Sequence, residues 1–291
     1  VGTVHFIATP IGNLGDITIR AIETLRKVDV ICAEDTRRSI QLLRHFDIPQ
    51  KLLISYHEHS HVKQINNIVK MALEGMHIGV VSDAGTPAIS DPGSELAAAC
   101  VESGIPVCSV PGPSAVTTAV SISGFSGTAF TFLGFLPHKG VERQRTVNLV
   151  QSTLHIVVLY EAPHRMMRTM TDLSVVHGDR RCVCCRELTK LHEEVWRGSI
   201  SESLLWLREK METSEPGESG SSVRGEFTIV LAPYSPGVDR EEKAQNAQDM
   251  LRSMMRDGVK RSEAVQLVAD SKLTNLRKSE IYKLALDMDW S

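Results

Sequence analysis

Over about the first 120 residues, short apolar runs alternate with stretches whose apolar positions fall three and four apart. The runs occupy residues 4–9, 28–33, 52–55, 78–81 and 107–110, and the helix-like stretches occupy residues 17–25, 39–46, 62–73 and 94–101. Strands that are apolar on both sides, joined by amphipathic helices, are what a largely parallel sheet covered by helices requires. Beyond Gly124 and Gly127 the texture changes. Residues 130–133, 156–160, 182–186, 195–198 and 227–231 read as strands, with helices near 142–151, 166–173 and 202–208, so a second, mixed α/β domain is predicted. Three short helices are predicted at 241–255, 262–269 and 276–286, after a linker at 234–239. The expected division is an α/β domain over 1–124, a second over 125–234 and a small helical module over 235–291. Residues 211–223 (METSEPGESGSSV) lack core formers and read as a surface loop.

The length of 291 residues suits this division, since two domains fill most of it and leave room for a small third. With 32 basic and 35 acidic residues the net charge is −3, and 42% of residues are hydrophobic, which excludes a mostly disordered chain and a uniformly basic nucleic-acid coat. The average conceals a local excess: residues 252–283 hold eight bases and four acids, a net of +4 that phosphates could meet. No 18-residue apolar run occurs, and the start VGTVHFIATP lacks a signal peptide's basic and apolar segments, so a soluble, non-secreted protein is expected. Cys32, Cys100, Cys108, Cys182, Cys184 and Cys185 lie mostly in apolar runs, where reduced, buried thiols are expected.

Each predicted strand of the first domain ends in a loop rich in Gly, Pro or acids, and open α/β sheets bind ligands at the carboxyl ends of their strands. The densest such loop is Ser82-Asp83-Ala84-Gly85-Thr86-Pro87 with Asp91-Pro92-Gly93. Pro111-Gly112-Pro113-Ser114-Ala115 follows the next strand and opens a helix whose small residues let a flat ligand approach free N–H groups. Neither is a Walker motif, and no Gly-x-Gly-x-x-Gly follows a strand, which weakens ATPase and dinucleotide readings. Glu34-Asp35-Thr36-Arg37 closes the second strand, where Asp35 either orients a hydroxyl or caps a helix. His57, His59 and His61 alternate, but no Cys or acid partner is identifiable and no metal centre is expected. Tyr160-Glu161-Ala162-Pro163-His164-Arg165 and Arg186-Glu187-Leu188-Thr189-Lys190 place acids and bases at two strand ends of the second domain.

Taken in order, these segments, with residues 9–16, Gly134-Phe135-Leu136-Pro137 and Arg224-Gly225-Glu226, resemble the tetrapyrrole methylase family, in its branch acting on small-subunit ribosomal RNA, almost end to end. The resemblance implies a two-domain fold with a cleft for S-adenosyl-L-methionine between the α/β domains. It also implies a homodimer and, as acceptor, a cytidine ribose 2'-hydroxyl in the decoding region of small-subunit rRNA, within the 30S-type subunit. Such a protein is expected in the cytoplasm, or in an organelle matrix or stroma. On this reading Pro10, Asp83, Ala84, Gly85, Thr86, Pro87, Pro111, Gly112, Pro113, Ser114 and Ala115 contact the cofactor, joined by Leu133, Ala162, Leu188, Glu226 and Phe227. The base that takes the hydroxyl proton is sought among Asp35, Glu187 and Lys190. Arg165 leads the RNA contacts, with Asn13, Arg37, Lys139, Arg186, Lys278 and Lys283, and the C-terminal module is the expected RNA grip. The alternatives are a methyltransferase acting on a tetrapyrrole-like small molecule, and a non-catalytic RNA-binding protein.

Overall fold

The computed structural model describes the chain except residues 58–61, 179, 213–223, 235, 272–273, 275, 289 and 291, and describes only the backbone of 176–177 and 236–242. The chain forms two compact units, Val1–Pro233 and Tyr234–Ser291. The first unit holds two five-stranded sheets. In the first sheet β1 (Val4–Ile7), β2 (Val30–Ala33), β3 (Leu52–Ser55), β4 (Ile78–Val81) and β5 (Val107–Val110) run parallel in the order β3-β2-β4-β1-β5. Residues on one face (Val4, Phe6, Val30, Cys32, Ile78, Val80) pack under α3 (Val62–Leu73) and α4 (Ser94–Glu102). The alternate residues Ile7, Ile31, Ala33 and Val81 pack under α1 (Ile19–Lys27) and α2 (Thr36–His45), the period-two arrangement that runs apolar on both sides dictate.

The second sheet, ordered β6-β7-β10-β8-β9, pairs β6 (Phe130–Phe135) and β7 (Ile156–Glu161) in parallel. Its remaining strands, β8 (Arg181–Arg186), β9 (Glu194–Ser199) and β10 (Phe227–Leu231), pair antiparallel. One face is covered by α6 (Gly140–Ser152), α7 (Pro163–His177) and α8 (Ile200–Glu212). The other face packs on Val116 and Ala119 of α5 (Ala115–Ile122), the helix that follows β5, and on Ile11 from the loop after β1. One hydrophobic cluster thus joins the strand-end side of the first sheet to the second sheet, and the loops of both meet there.

The second unit is a three-helix cluster of α9 (Pro236–Arg256), α10 (Arg261–Asp270) and α11 (Lys278–Leu286), closed around Ala247, Leu251, Val265, Val268 and Ile281. The expected linker at 234–239 is mostly the first turn of α9, because Pro236 has the fixed φ that suits a helix start. Five cysteines are buried, but Cys108 is exposed on β5, which has a neighbour on one side only. The expected loop at 211–223 begins inside α8, and its residues 213–223 lie outside the described ones, as do His59 and His61.

Candidate active site

The tails of the first sheet are tied to each other by backbone and side-chain links. Thr9 and Gly85 exchange two backbone hydrogen bonds of 2.9 and 3.0 Å, joining the tails of β1 and β4. Gly85 sits at φ 79°, where a side chain would be strained. The Thr86 hydroxyl donates to the Pro113 carbonyl at 3.4 Å, which adds the tail of β5. The Asp35 amide donates to Asp83 Oδ1 at 3.0 Å and the Asp83 amide to Glu34 Oε2 at 3.3 Å, which adds the tail of β2.

Facing these loops are the end of β7, the loop after β8 and the start of β10. Together they enclose a cleft of about 420 Å³ whose apolar wall includes Ile11, Phe135, Tyr160, Leu188 and Phe227, with small residues Ala84, Gly85, Ala115 and Ala162 between them. Five carboxylates line it, Glu34, Asp83, Asp91, Glu161 and Glu226, against the two cations Arg38 and Lys190. Ser114 makes no side-chain cap to α5, and the Val116 amide in the first turn of that helix donates a hydrogen bond to the Tyr160 phenol across the cleft.

Burial, with Glu34 and Asp83 nearby, pushes the Asp91 carboxyl up to about 6, although a hydrogen bond with Ser82 opposes the shift. Burial and the charge of Asp91 push the Tyr160 phenol up to about 12. Lys190 donates to Glu187 Oε1 at 2.8 Å and to Glu226 Oε2 at 3.0 Å. Burial alone would pull the Lys190 ammonium down, but the two carboxylates outweigh it and hold its pKa above the ordinary value. Burial likewise pushes Glu187 up, and its hydrogen bonds from Lys190 and the Glu226 amide reverse the sign.

Of the sequence-derived cofactor residues, Asp83, Ala84, Gly85, Thr86, Ser114, Ala115, Ala162, Leu188, Glu226 and Phe227 line this cleft. Pro10 lines a neighbouring groove and Leu133 a third, while Pro87, Pro111, Gly112 and Pro113 do not line the cleft: Pro87 is buried, Pro111 and Gly112 are exposed, and Pro113 is the acceptor for Thr86. The three base candidates have other tasks. Asp35 lies off the cleft, caps α2 by accepting from the Arg37 amide at 2.9 Å, and pairs with the Arg37 guanidinium, whose hydrogen bonds lower it to about 2. Lys190 lines the cleft as a paired cation, and Glu187 stands behind it as the partner. A carboxylate as weakly basic as Asp35, or an ammonium held protonated, is poorly matched to removing a proton near neutral pH.

Arg165 is turned inward. Its Nε meets Glu161 Oε1 at 3.1 Å, the Glu161 side chain is 0% exposed, and its guanidinium also donates to the Leu136 carbonyl. This placement argues against the phosphate contact expected of it. Asn13 accepts from the Gly15 amide at 3.0 Å, and Lys139 precedes α6. Arg186 donates to the Arg224 carbonyl at 2.6 Å and pairs with Glu194, and Lys278 bonds Gln266. Lys283 lies in the last turn of α11. Glu34, Arg38, Phe135 and Tyr160 also border the cleft, as does Asp91 from the carboxylate-rich loop that the sequence marks as a ligand site, and no local spacing assigns any of the five an individual role.

The model for Tetrapyrrole (Corrin/Porphyrin) Methylases matches residues 3–203, which spans the first sheet, four of the five strands of the second and the loops of the cleft that precede β10. The chain belongs to the tetrapyrrole methylase family. A Synechocystis sp. protein named ribosomal RNA small subunit methyltransferase I is 40% identical over 292 residues, 99% of each chain. A protein of the same name from Thermotoga maritima is 44% identical over 232 residues, 80% of this chain and 99% of its own. Among solved structures, uroporphyrin-III C-methyl transferase from Thermus thermophilus complexed with S-adenyl homocysteine superposes with a TM-score of 0.54 at 13% identity, covering 79% of this chain and 97% of its own. At that identity the likeness concerns the fold, and this tetrapyrrole methylase chain is a methyltransferase by its family and its end-to-end relatives.

Proposed function

We propose that the chain transfers the methyl group of S-adenosyl-L-methionine to a cytidine ribose 2'-hydroxyl of small-subunit rRNA. The observation that carries the reading is the 40% identity over 99% of both chains to a protein named for methylation of small-subunit ribosomal RNA. The cleft fits the cofactor by its own chemistry: with Glu161 neutralised by Arg165, four carboxylates against two cations suit a sulfonium cation, and the apolar and small residues suit a flat base. Gly85 keeps the floor low because its φ of 79° disfavours any side chain there. When bound, the cofactor supplies a methyl group already activated on sulfur for in-line transfer.

The chain's own work is then to align and to accept a proton. The linked tails of β1, β4 and β5 fix one wall, and Leu188 and Phe227 fix the other. The Glu187–Lys190–Glu226 link holds the loop after β8 to the start of β10 and keeps a positive charge at the cleft edge, where an anionic group of either ligand can meet it. Assembly as a homodimer, action on the 30S-type subunit and residence wherever that subunit matures belong to the same proposal. The test is transfer of isotope label from S-adenosylmethionine to 30S subunits, free rRNA and a reduced tetrapyrrole in parallel. Label in RNA alone is the expected result, and label only in the tetrapyrrole would overturn the reading in favour of the small-molecule alternative.

A further inference from the structure

Two clefts meet along one wall. Beside the cleft described above lies a second, of about 560 Å³, between the tails of β2 and β3, the start of α4 and the end of β6. Glu34, Ser90, Asp91 and Phe135 border both clefts, whereas Tyr56, His57, Glu95 and Leu133 border the second alone. We propose that the second cleft receives the acceptor nucleoside, with its base stacked on Phe135 and its ribose 2'-hydroxyl at the Asp91 carboxylate, which takes the hydroxyl proton. The inference rests on the reading of the chain as an RNA 2'-O-methyltransferase and assigns that reading its acceptor site and its base.

In-line transfer requires the acceptor oxygen and the methyl donor to arrive from two sides of one point, so the two ligands must meet at a shared wall. Residues on that wall reach both ligands. Phe135 is 50% exposed there, and its ring centroid lies 5.6 Å from that of Tyr160 at a tilt of 58°, which leaves a broad apolar face uncovered. Aromatic faces of this kind hold unstacked bases in RNA-binding proteins.

The position of Asp91 is set by its loop. Ala88 and Ser90 take φ values of 69° and 61°, the Ala88 amide donates to the Pro92 carbonyl at 3.2 Å, and Ser90 sits so close under β6 that a Cβ on Gly134 would stand 2.8 Å from its hydroxyl. The neighbouring Asp83 is committed to the Asp35 amide and to Arg38, and Glu34 to the Asp83 amide, whereas Asp91 borders both clefts, is hydrogen-bonded with Ser82 and has a second oxygen to offer, which makes it the carboxylate best placed at the seam. Its surroundings are Glu34 from the β2–α2 turn, Arg38 from the first turn of α2, Asp83 from the tail of β4 and Tyr160 from β7. His57 and Glu95 stand on the second cleft, and Lys190 with Glu226 on the first. The predominance of acids and the partial burial raise its proton affinity to the range in which a carboxylate serves as a general base. In the step, the O–H proton passes to an Asp91 oxygen as the O–CH₃ bond forms and the S–CH₃ bond breaks. The electron pair stays on sulfur, giving a neutral thioether, and Asp91 returns the proton to water.

The test is single-turnover methyl transfer to 30S subunits or rRNA by the full chain, over pH values spanning about 6, with wild type, Asp91→Asn and Phe135→Ala. In wild type the rate is expected to fall as pH drops below about 6, where Asp91 is protonated. Asp91→Asn should slow transfer by about 100-fold or more and lose that acid limb, while calorimetric affinity for S-adenosylhomocysteine stays within about threefold. Phe135→Ala should raise the RNA concentration that gives half the maximal single-turnover rate about tenfold, with little change in that maximal rate. An Asp91→Asn rate within about threefold of wild type, or a rate that falls only in step with cofactor affinity, overturns the assignment while leaving the methyltransferase reading intact. Absence of transfer by the wild-type chain overturns both.

Discussion

Arg165, turned inward behind the cleft, and Lys190, on its lining, are charged side chains whose partners decide what they do. Arg165 neutralises Glu161, which also accepts from Thr169 Oγ1 at 2.5 Å and from the Ala162 amide at 2.9 Å, so Arg165→Ala strands a buried carboxylate. Losing one partner of a buried pair costs about 3–5 kcal/mol, so chemical denaturation should show a loss of that order, with rRNA affinity of the folded protein changed by less than about threefold. Lys190→Ala should lower transfer through weaker binding without moving the acid limb of the rate profile. Its pairing is intact across the neutral range: the raised Lys190 pKa is a contribution lost only as pH rises through it, and the lowered Glu187 pKa one lost only as pH falls through it. Asp91 has the opposite sign among the acids. Its raised pKa favours the fold below about 3.8, and that contribution is lost as pH rises through about 6, so at neutral pH its ionised form costs stability. With the charge partly screened by solvent, Asp91→Asn should recover about 1 kcal/mol, a gain of about 2–4 °C in Tm at pH ~7.5, while activity falls.

Among the elements, the strand tails of the first sheet and the loop between β8 and β10 make the site, and glycines set how closely they approach. Gly225 has φ 96°, and a Cβ there would stand 2.5 Å from Glu187 Cγ. Gly225→Ala should therefore displace Glu187, loosen Lys190 and destabilise the first unit by about 1–3 kcal/mol, read as a lower Tm together with weaker cofactor affinity. The parallel sheet was legible because its inner strands β1, β2 and β4 are largely buried on both faces and the edge strands β3 and β5, though partly exposed, keep short apolar runs, and residues 52–55, 78–81 and 107–110 are strands to the residue. Boundaries moved where one local group decides them: Thr18 caps α1 by accepting from the Ala21 amide, so that helix starts at Ile19. The loops of the cleft were legible from their turn formers. Their division of labour was not, because it depends on pairs made by folding. Arg37, two positions from Asp35, makes it a weak base, whereas Asp91 is tuned by burial, by Glu34 from the tail of β2 and by Asp83 earlier in its own loop, and stands beside Tyr160 of the second sheet, and neither the burial nor the approach of Glu34 and Tyr160 shows in a local pattern.

For the molecule as a whole, the second unit raises the question of what the extra length contributes. The Thermotoga maritima relative matches 99% of its own length with only 80% of this chain, so a protein of that name exists with about a fifth less sequence. The basic stretch at 252–283 is also local, since residues 234–291 together hold ten bases and ten acids. Arg252 is paired with Asp249, and Arg261 lies over the Trp290 ring. An RNA grip by this unit thus rests on how its basic stretch is displayed and not on its net charge. Removing residues 234–291 is expected to leave cofactor affinity unchanged and to weaken rRNA binding about tenfold with a shallower salt dependence, and unchanged binding would contradict an RNA role for the unit. The central claim concerns the atom that receives the methyl group. With 30S subunits and isotope-labelled S-adenosylmethionine as substrates, mass spectrometry of the digested RNA should place one labelled methyl on the ribose of a cytidine. Label on a base, or on no nucleotide while a tetrapyrrole accepts it, would contradict the account.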